Sequence, residues 1–422
     1  MTNTNCIRTE RYEENFMNHA KSIIPLFLLI IIDGMSFGMT LPVLAPLLTK
    51  TGASIFGAHA SLERRHILFG IILFLPPFAY FFGAPIVGYC SDRFGRKTLL
   101  GYCLLGTFIA YVMYVISFRW MSLSLLIIAR IIGGFTTGSQ AVAQAAMTDI
   151  SSGTAKLLNI GVIALAMTIG LLAGPLLGGV LSNAHYVHWF GLSTPFYAAA
   201  GLTALNFLLL VFYLKETHSD LSHIPLRKSL KQFLSHRPNQ HLLTIFFFFE
   251  LSWSLYYQGI AVTAVQAFHL DGSEVGYFST YIGLMLSLSL MFVLRACARL
   301  LKPKKLLSFS LWLGIVSLLL AFFAHKLWQQ CLLAIPVTIM TANVYSTLIT
   351  LLSNENADNK QGLVMGVSDS ALSLAFAITG FLAGWITLYN AMSPLLLSCG
   401  FLVLAYGVFC FKKVSKALRA CL

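Results

Sequence analysis

The chain has 422 residues, 57% of them hydrophobic and only 10% charged, and 28 Lys and Arg against 15 Asp and Glu give it a formal net charge of +13. A soluble domain is about 25% charged, so this chain lacks the polar groups to cover a water-facing surface and belongs in a bilayer. The basic excess would suit a nucleic-acid partner, but its placement along the chain excludes one.

Apolar runs of about 18 or more residues read as membrane-spanning helices. Twelve are predicted, over 23–48, 67–89, 99–118, 121–147, 158–182, 194–214, 242–266, 275–294, 306–324, 327–352, 362–386 and 392–411. Lipid offers the backbone no hydrogen-bond partner over such lengths, which requires helices. The short alternating segments of a membrane β-barrel are absent. The fold class expected is therefore an all-α membrane protein with twelve transmembrane helices. With the N-terminus inside, the inside segments hold 22 Lys and Arg, the outside loops hold 5, and Arg130 alone lies within a span. This positive-inside bias puts both termini in the cytoplasm and explains the basic charge without nucleic acid. The first span is too long for a cleaved signal peptide and is expected to act as an anchor.

The predicted plan is a cytoplasmic tail (1–22), a first six-helix half (23–214), a central cytoplasmic loop (215–241), a second six-helix half (242–411) and a cytoplasmic C-terminal tail (412–422). Six plus six suggests an internal repeat. The central loop contains LRKSLKQFL, an amphipathic pattern that fits either a membrane-surface helix or a plain linker.

Helix 1 contains FLLIIIDGMSFGM, with Asp33 inside the span. Helix 7 contains TIFFFFELSWSLYYQG, with Glu250 at a similar depth. Asp369 lies near the start of helix 11. Ionised carboxylates are costly in such surroundings, so they hold a proton or face water, which makes them candidate proton carriers. Glu250, Ser254, Tyr257 and Gln258 share one helical face.

Between helices 2 and 3 lies GYCSDRFGRKTLL. Gly95 permits a sharp turn, and Asp92 can pair with an arginine or meet a helix N-terminus. Orientation alone accounts for Arg93, Arg96 and Lys97, but not for Asp92 or for the spacing of Gly88 and Gly95. Helix 4 reads ARIIGGFTTGSQ, where Arg130, Gly134, Thr137 and Gln144 form one stripe expected to face inward. Helix 5 reads GLLAGPLLGG, with Gly170, Gly174, Pro175, Gly178 and Gly179. Small residues at this spacing let helices approach closely, and Pro175 removes a backbone hydrogen bond.

With these motifs in place, the chain resembles a major facilitator superfamily transporter over about residues 20 to 412. More narrowly it is similar to the twelve-helix drug:proton antiporter branch, which includes tetracycline and multidrug exporters. The branch's pattern G-x-x-x-D-R-x-G-R-K/R is complete in Gly88, Asp92, Arg93, Gly95, Arg96 and Lys97. Its antiporter pattern G-x-x-x-G-P-x-x-G-G is complete in helix 5. In helix 4 Gly133 stands where relatives commonly carry Gln, so a role tied to that amide does not carry over.

The resemblance implies two pseudo-symmetric halves that rock around a midplane site. It assigns Asp92 and its neighbours to a cytoplasmic latch between the halves. It matches Asp33 to an acidic residue often seen in helix 1 of the branch and Arg130 to an arginine of helix 4, whereas Glu250 has no such counterpart and joins them in the candidate proton-coupling set on its own position inside a span. It implies a cavity lined by helices 1, 4, 7 and 10, with Ser36, Phe37, Thr137, Gln140, Gln144, Tyr257, Gln258, Asn343 and Thr347 as lining candidates. The function expected is a proton-coupled drug or metabolite exporter, working as a monomer in a bacterial inner membrane on a small organic substrate. The alternative is a dedicated importer or exporter of one metabolite class on the same fold. No HExxH, GxSxG or filter-like segment points to an enzyme or a channel. The 8 cysteines form no CxxC pair, and the 11 histidines show no metal-site spacing, so no cofactor or metal is expected.

Overall fold

A computed structural model describes residues 3–48, 55–57, 60–149, 154–214, 216, 233–355 and 361–421, without the side chains of 3–22, 37, 89, 92, 145, 148–149, 154–162, 164, 361–363, 365 and 411–421. The amphipathic stretch 226–234 therefore lies almost wholly outside the described residues. The helices are α1 (Asn3–Leu44), α2 (Leu62–Phe94), α3 (Arg96–Arg119), α4 (Leu123–Thr136), α5 (Ser139–Asp149), α6 (Thr154–Leu181) and α7 (Thr194–Tyr213) in the first half. In the second half they are α8 (Arg237–Phe268), α9 (Gly272–Leu288), α10 (Leu294–Leu300), α11 (Pro303–Phe322), α12 (Leu327–Glu355), α13 (Gln361–Ile386) and α14 (Ser393–Cys421). Both expected tails continue helices: α1 begins at Asn3 and α14 runs to Cys421.

Each predicted span falls on a helix, with three interruptions. The first span closes with a 3-10 turn, Ala45–Leu48, after α1. The fourth is split into α4 and α5 at Thr137–Gly138. There the hydroxyls of Thr136 and Thr137 both donate back to the Gly133 carbonyl, at 3.1 and 2.8 Å, which competes with the helical ladder. The eighth carries a π-helical turn, Ser289–Val293, between α9 and α10.

Among the described residues ten helical stretches are long and apolar enough to cross a bilayer, and Leu165–Leu181 is a shorter one. α8 is not among the ten. It is 32 residues long, but Glu250, Ser252, Ser254, Gln258 and Thr263 are all buried along it. A helix enclosed by its neighbours has little lipid to face and can carry polar groups inward.

The helix contacts repeat between the halves. In the first half α1 packs on α6 and α7, α4 on α2 and α3, and α3 on α7. In the second half α8 packs on α13 and α14, α12 on α9 and α11, and α11 on α14. These are the same pairings moved on by six spans, the mark of a two-fold repeat. The halves meet along two seams, α2 with α13 and α6 with α9, which exchange under the same operation.

Candidate functional site

Asp33, on α1, is 4% exposed and accepts a hydrogen bond from the Ser139 hydroxyl at 2.9 Å. Ser139 opens α5, so the break after α4 is what aims it at α1. Arg130, on α4, is also buried, with its guanidinium 5.6 Å from the Tyr114 ring centroid. Tyr114 stacks on Phe196 at 4.8 Å. Nε and Nη2 of Arg130 are buried without a hydrogen-bond partner.

Glu250, on α8, is 1% exposed, and its Oε2 is buried without a hydrogen-bond partner. One turn along, the Ser254 hydroxyl donates to the Glu250 carbonyl at 2.5 Å. Gln258 Nε2 donates to Thr379 Oγ1 at 3.0 Å and to the Phe376 carbonyl at 3.1 Å, fixing α8 to α13. Asp369 and Tyr345 lie within electrostatic reach of Glu250. Tyr80, on α2, lies within reach of both Asp33 and Asp369. The fold thus gathers the carboxylates of α1, α8 and α13 around the interface of the halves.

At one end of the bundle α2 turns into α3 at Gly95, whose φ of +91° lies in the region that favours glycine. A Cβ there would also meet the Glu216 carboxylate at 2.5 Å. Glu216 accepts from the backbone amides of Arg96 at 2.7 Å and Lys97 at 3.2 Å, capping α3. The Lys97 ammonium donates to the Val211 carbonyl at 2.9 Å. The turn is therefore tied to the end of α7 within its own half. Arg93 is exposed, its guanidinium 5.6 Å from the Phe94 ring. Gly88 has open space around it, and the Asp92 side chain lies outside the described residues.

The glycines of α6 divide their work. Cβ atoms on Gly170 and Gly174 would strike the α1 backbone, at 2.8 Å from the Ile31 carbonyl and 2.7 Å from the Met35 carbonyl, and Gly178 abuts Met39 likewise. Of the five motif residues, Gly179 and Pro175 reach the other half, whose Thr280 hydroxyl also donates to the Leu172 carbonyl at 3.4 Å. A Cβ on Gly179 would lie 2.9 Å from both the Gly272 oxygen and the Gly276 Cα, and one on Gly276 would lie 2.6 Å from the Pro175 carbonyl. Most of the stripe binds α6 to α1, and its last turn forms the seam with α9.

The opposite end carries hydrogen bonds between the halves. His66, on α2, is fully buried, with Nδ1 3.0 Å from the Gly384 carbonyl and 2.9 Å from Thr387 Oγ1. Its Nε2 lies 3.0 Å from Gln266 Nε2, on α8. At the other seam Asn183 Nδ2 donates to Ser273 Oγ at 2.8 Å, and the Tyr186 and Tyr277 hydroxyls meet at 2.7 Å. Backbones also touch here: a Cβ on Gly70 would lie 2.7 Å from the Phe381 carbonyl.

The family model of the Major Facilitator Superfamily matches residues 26–293 and 242–420. The chain belongs to the Major Facilitator Superfamily. It is 28% identical over 374 residues to the tetracycline resistance protein, class C, of Escherichia coli, covering 86% of this chain and 89% of that one. Its fold is similar to the crystal structure of the human organic anion transporter MFSD10 (TETRAN), with a TM-score of 0.68, 21% identity, and coverage of 93% of this chain and 99% of the other. It is also similar to a bacterial homolog of the lysosomal transporter Spinster in an inward-facing and occupied conformation, with a TM-score of 0.73, 13% identity, and coverage of 92% and 95%. This superfamily member is accordingly a multi-pass membrane transporter rather than an enzyme.

Within this transporter the predicted lining residues separate into two groups. Ser36, Thr137, Gln140 and Gln144, on the first half, are half-buried. Tyr257, Gln258, Asn343 and Thr347, on the second half, are buried, and neither amide atom of Asn343 has a hydrogen-bond partner. The Phe37 side chain lies outside the described residues. The expected stripe of Arg130, Gly134, Thr137 and Gln144 is interrupted: Gly134 abuts Pro76, Arg130 turns to Tyr114, and the helix breaks at Thr137. Sequence reasoning did not single out Ser139, Glu216, His66 or Gln266. Of these only Glu216 carried a local signal, as the acid that ends a span in LKET.

Proposed function

We propose that this transporter is a proton-coupled exporter of small organic molecules that works by alternating access. The observation that carries the reading is the pair of buried carboxylates, Asp33 and Glu250, on the first helix of each half. Both lie on helices that pack against seam helices, α1 on α6 and α8 on α13, so that rocking is expected to change their access to water. A buried carboxylate that alternates between two solutions can load a proton on one side and release it on the other. Similarity to a tetracycline resistance protein supports export of an amphipathic organic molecule. Arg130, buried in the same half as Asp33, is assigned to hold charge balance as the proton moves.

The Gly95 end is assigned to the cytoplasm, with both termini, in a cell membrane. On that assignment the structure is inward-facing. α2 and α13 touch backbone to backbone at the His66 end, whereas at Gly88 and Gly366, toward the Gly95 end of the same two helices, a Cβ would meet no described residue within 4 Å. The Gly88–Lys97 segment acts as the cytoplasmic latch that re-forms when the protein opens outward. The test is flux of tetracycline and of structurally unrelated organic compounds into inverted vesicles under a pH gradient. Flux that requires the gradient, and is lost in Asp33→Asn with normal insertion, supports the reading. Gradient-driven flux that survives Asp33→Asn removes Asp33 from it, and movement of one metabolite class alone replaces the drug reading with a dedicated transporter.

A further inference from the structure

The hydrogen bonds around His66 place a hydrogen on Nδ1. The Thr387 hydroxyl donates to the Ala383 carbonyl at 2.7 Å, so its oxygen faces His66 as an acceptor. The Gly384 carbonyl is also an acceptor, so Nδ1 carries a hydrogen and donates. On the other side Nε2 faces the Gln266 amide at 3.0 Å, which as oriented offers its NH2 group to a bare Nε2. The partners of the ring at this end, Gly384, Thr387 and Gln266, are all neutral.

Three helices from both halves meet at this ring: α2 through His66, α8 through Gln266, and α13 through Gly384 and Thr387 at its end. Two of the ring's partners border a recess. An open recess of about 530 Å³ is lined by Gln266, His269, Thr387, Tyr389 and Asn390, so both Gln266 and Thr387 separate a buried histidine from solvent by one side chain. The titratable and charged groups on the elements packed here, among the described residues, are Glu63, Arg64 and Arg65 on α2, His269 at the end of α8, and Tyr389 after α13. Arg65 donates through Nε to the Ala60 carbonyl at 3.2 Å.

We propose that His66 is a further proton-coupling residue, at which a proton from the outer solution unlocks the closed end of the transporter. A proton arriving through the recess binds Nε2. The imidazolium then has N–H donors on both nitrogens. The contact between α2 and α8 survives only if the amide turns its Oε1, which has no partner among the described residues, toward Nε2–H, and even then a full charge is buried among neutral partners. The charge gains water only if the two halves part at this end. Proton binding thus favours the outward-open state, which is the sense an antiporter needs for entry of the driving proton. The proposal rests on the outward assignment of the His66 end; it does not require that Asp33 or Glu250 carry the proton onward.

The test is the distance between spin labels at Leu62→Cys, at the start of α2, and Trp328→Cys, at the start of α12, both exposed. It uses the full-length chain with its native cysteines replaced, in lipid vesicles. Lowering the pH from about 8 to about 5.5, across the range where histidine titrates, is expected to raise the long-distance population several-fold. His66→Asn keeps a donor toward Gly384 but cannot titrate, and is expected to lose that response. Gln266→Glu places an acceptor opposite Nε2 and is expected to reverse it, closing the end at low pH. The proposal is overturned by a parent protein whose distance ignores pH or shortens in acid, or by His66→Asn that retains the response. Should His66→Asn fail to fold, the sign of the Gln266→Glu response decides alone. The readout needs no substrate, so its failure is distinct from a failure of proton-driven export, which the Asp33→Asn flux measures.

Discussion

Glu216 closes on the backbone amide of Arg96 at 2.7 Å across 120 residues of sequence. With a second bond to Lys97 it caps α3 and holds the α2–α3 turn to the end of α7. The first function of this basic turn is thus internal to one half. A latch between halves needs a rigid strike plate, and the cap supplies it. Removing a helix cap costs about 0.5–2 kcal/mol. Glu216→Ala should therefore lower the melting temperature of the purified protein, and Gly95→Ala should lower it further, because it adds a Cβ at positive φ against the same carboxylate. Equal melting for Glu216→Ala and the parent would remove the cap from the account.

Asp92→Asn separates the latch from the cap. It should leave melting and membrane insertion near the parent values while reducing transport several-fold, measured as flux per inserted molecule. Normal flux would reduce the segment to an orientation signal and a capped turn.

Ser139 is the only described hydrogen-bond donor to Asp33. Hydrogen bonds to charged groups are worth about 1.5–3 kcal/mol, which is roughly a tenfold effect or more on a step that depends on them. Ser139→Ala should lower gradient-driven flux on that scale, and Ser139→Thr, which keeps the hydroxyl, should restore most of it. A merely structural serine would not distinguish the two variants at unchanged melting temperature.

The α6–α9 seam predicts a packing effect with a direction. Gly179→Val forces bulk against Gly272 and Gly276, where even a Cβ lies 2.9 Å from the neighbouring backbone. Overpacking costs about 1–3 kcal/mol, and here it is charged to the closed His66 end alone. The variant should shift spin-label distances between α6 and α9 toward the open state. Gly170→Val, facing α1 within the same half, should destabilise the fold without that shift.

Asp271 caps α9 and is tied to the other half. It accepts from the Glu274 amide at 2.8 Å and the Ser273 hydroxyl at 2.7 Å, with Asn183 at 3.5 Å. Partial burial works to raise its carboxyl, but the bonds from Glu274 and Ser273 outweigh burial and hold it below the ordinary range. A depressed carboxyl contributes stability that is complete above its unfolded value of about 4 and is lost as pH falls through the folded value. Asp271→Ala should cost about 1 kcal/mol at neutral pH, less in high salt because the site is exposed. The difference in melting temperature from the parent should shrink as the pH is lowered below about 4. A difference that persists in acid would mean that the carboxylate is not the capping group.

The sequence by itself determined the class of the protein and its family. Those follow from local or summed properties: apolar length, and motif spacing in Gly88–Lys97 and Gly170–Gly179. It also located Asp33 and Glu250, because a lone carboxylate in an apolar run is conspicuous one residue at a time. Tertiary structure decided what touches what. The α6 glycines read as a seam between halves, yet Gly170, Gly174 and Gly178 serve α1, since spacing reveals a small-residue face but not the helix it meets. Arg130 read as part of an inward stripe, but a helix break after Thr136 ends the periodicity on which that stripe depended. Ser139, Glu216, His66 and Gln266 gave little or no signal because each acts through a partner between 106 and 321 positions away. A hydrogen bond across that distance has no periodicity to betray it; only the packing of α2, α8 and α13 brings an imidazole, an amide and a hydroxyl to one point.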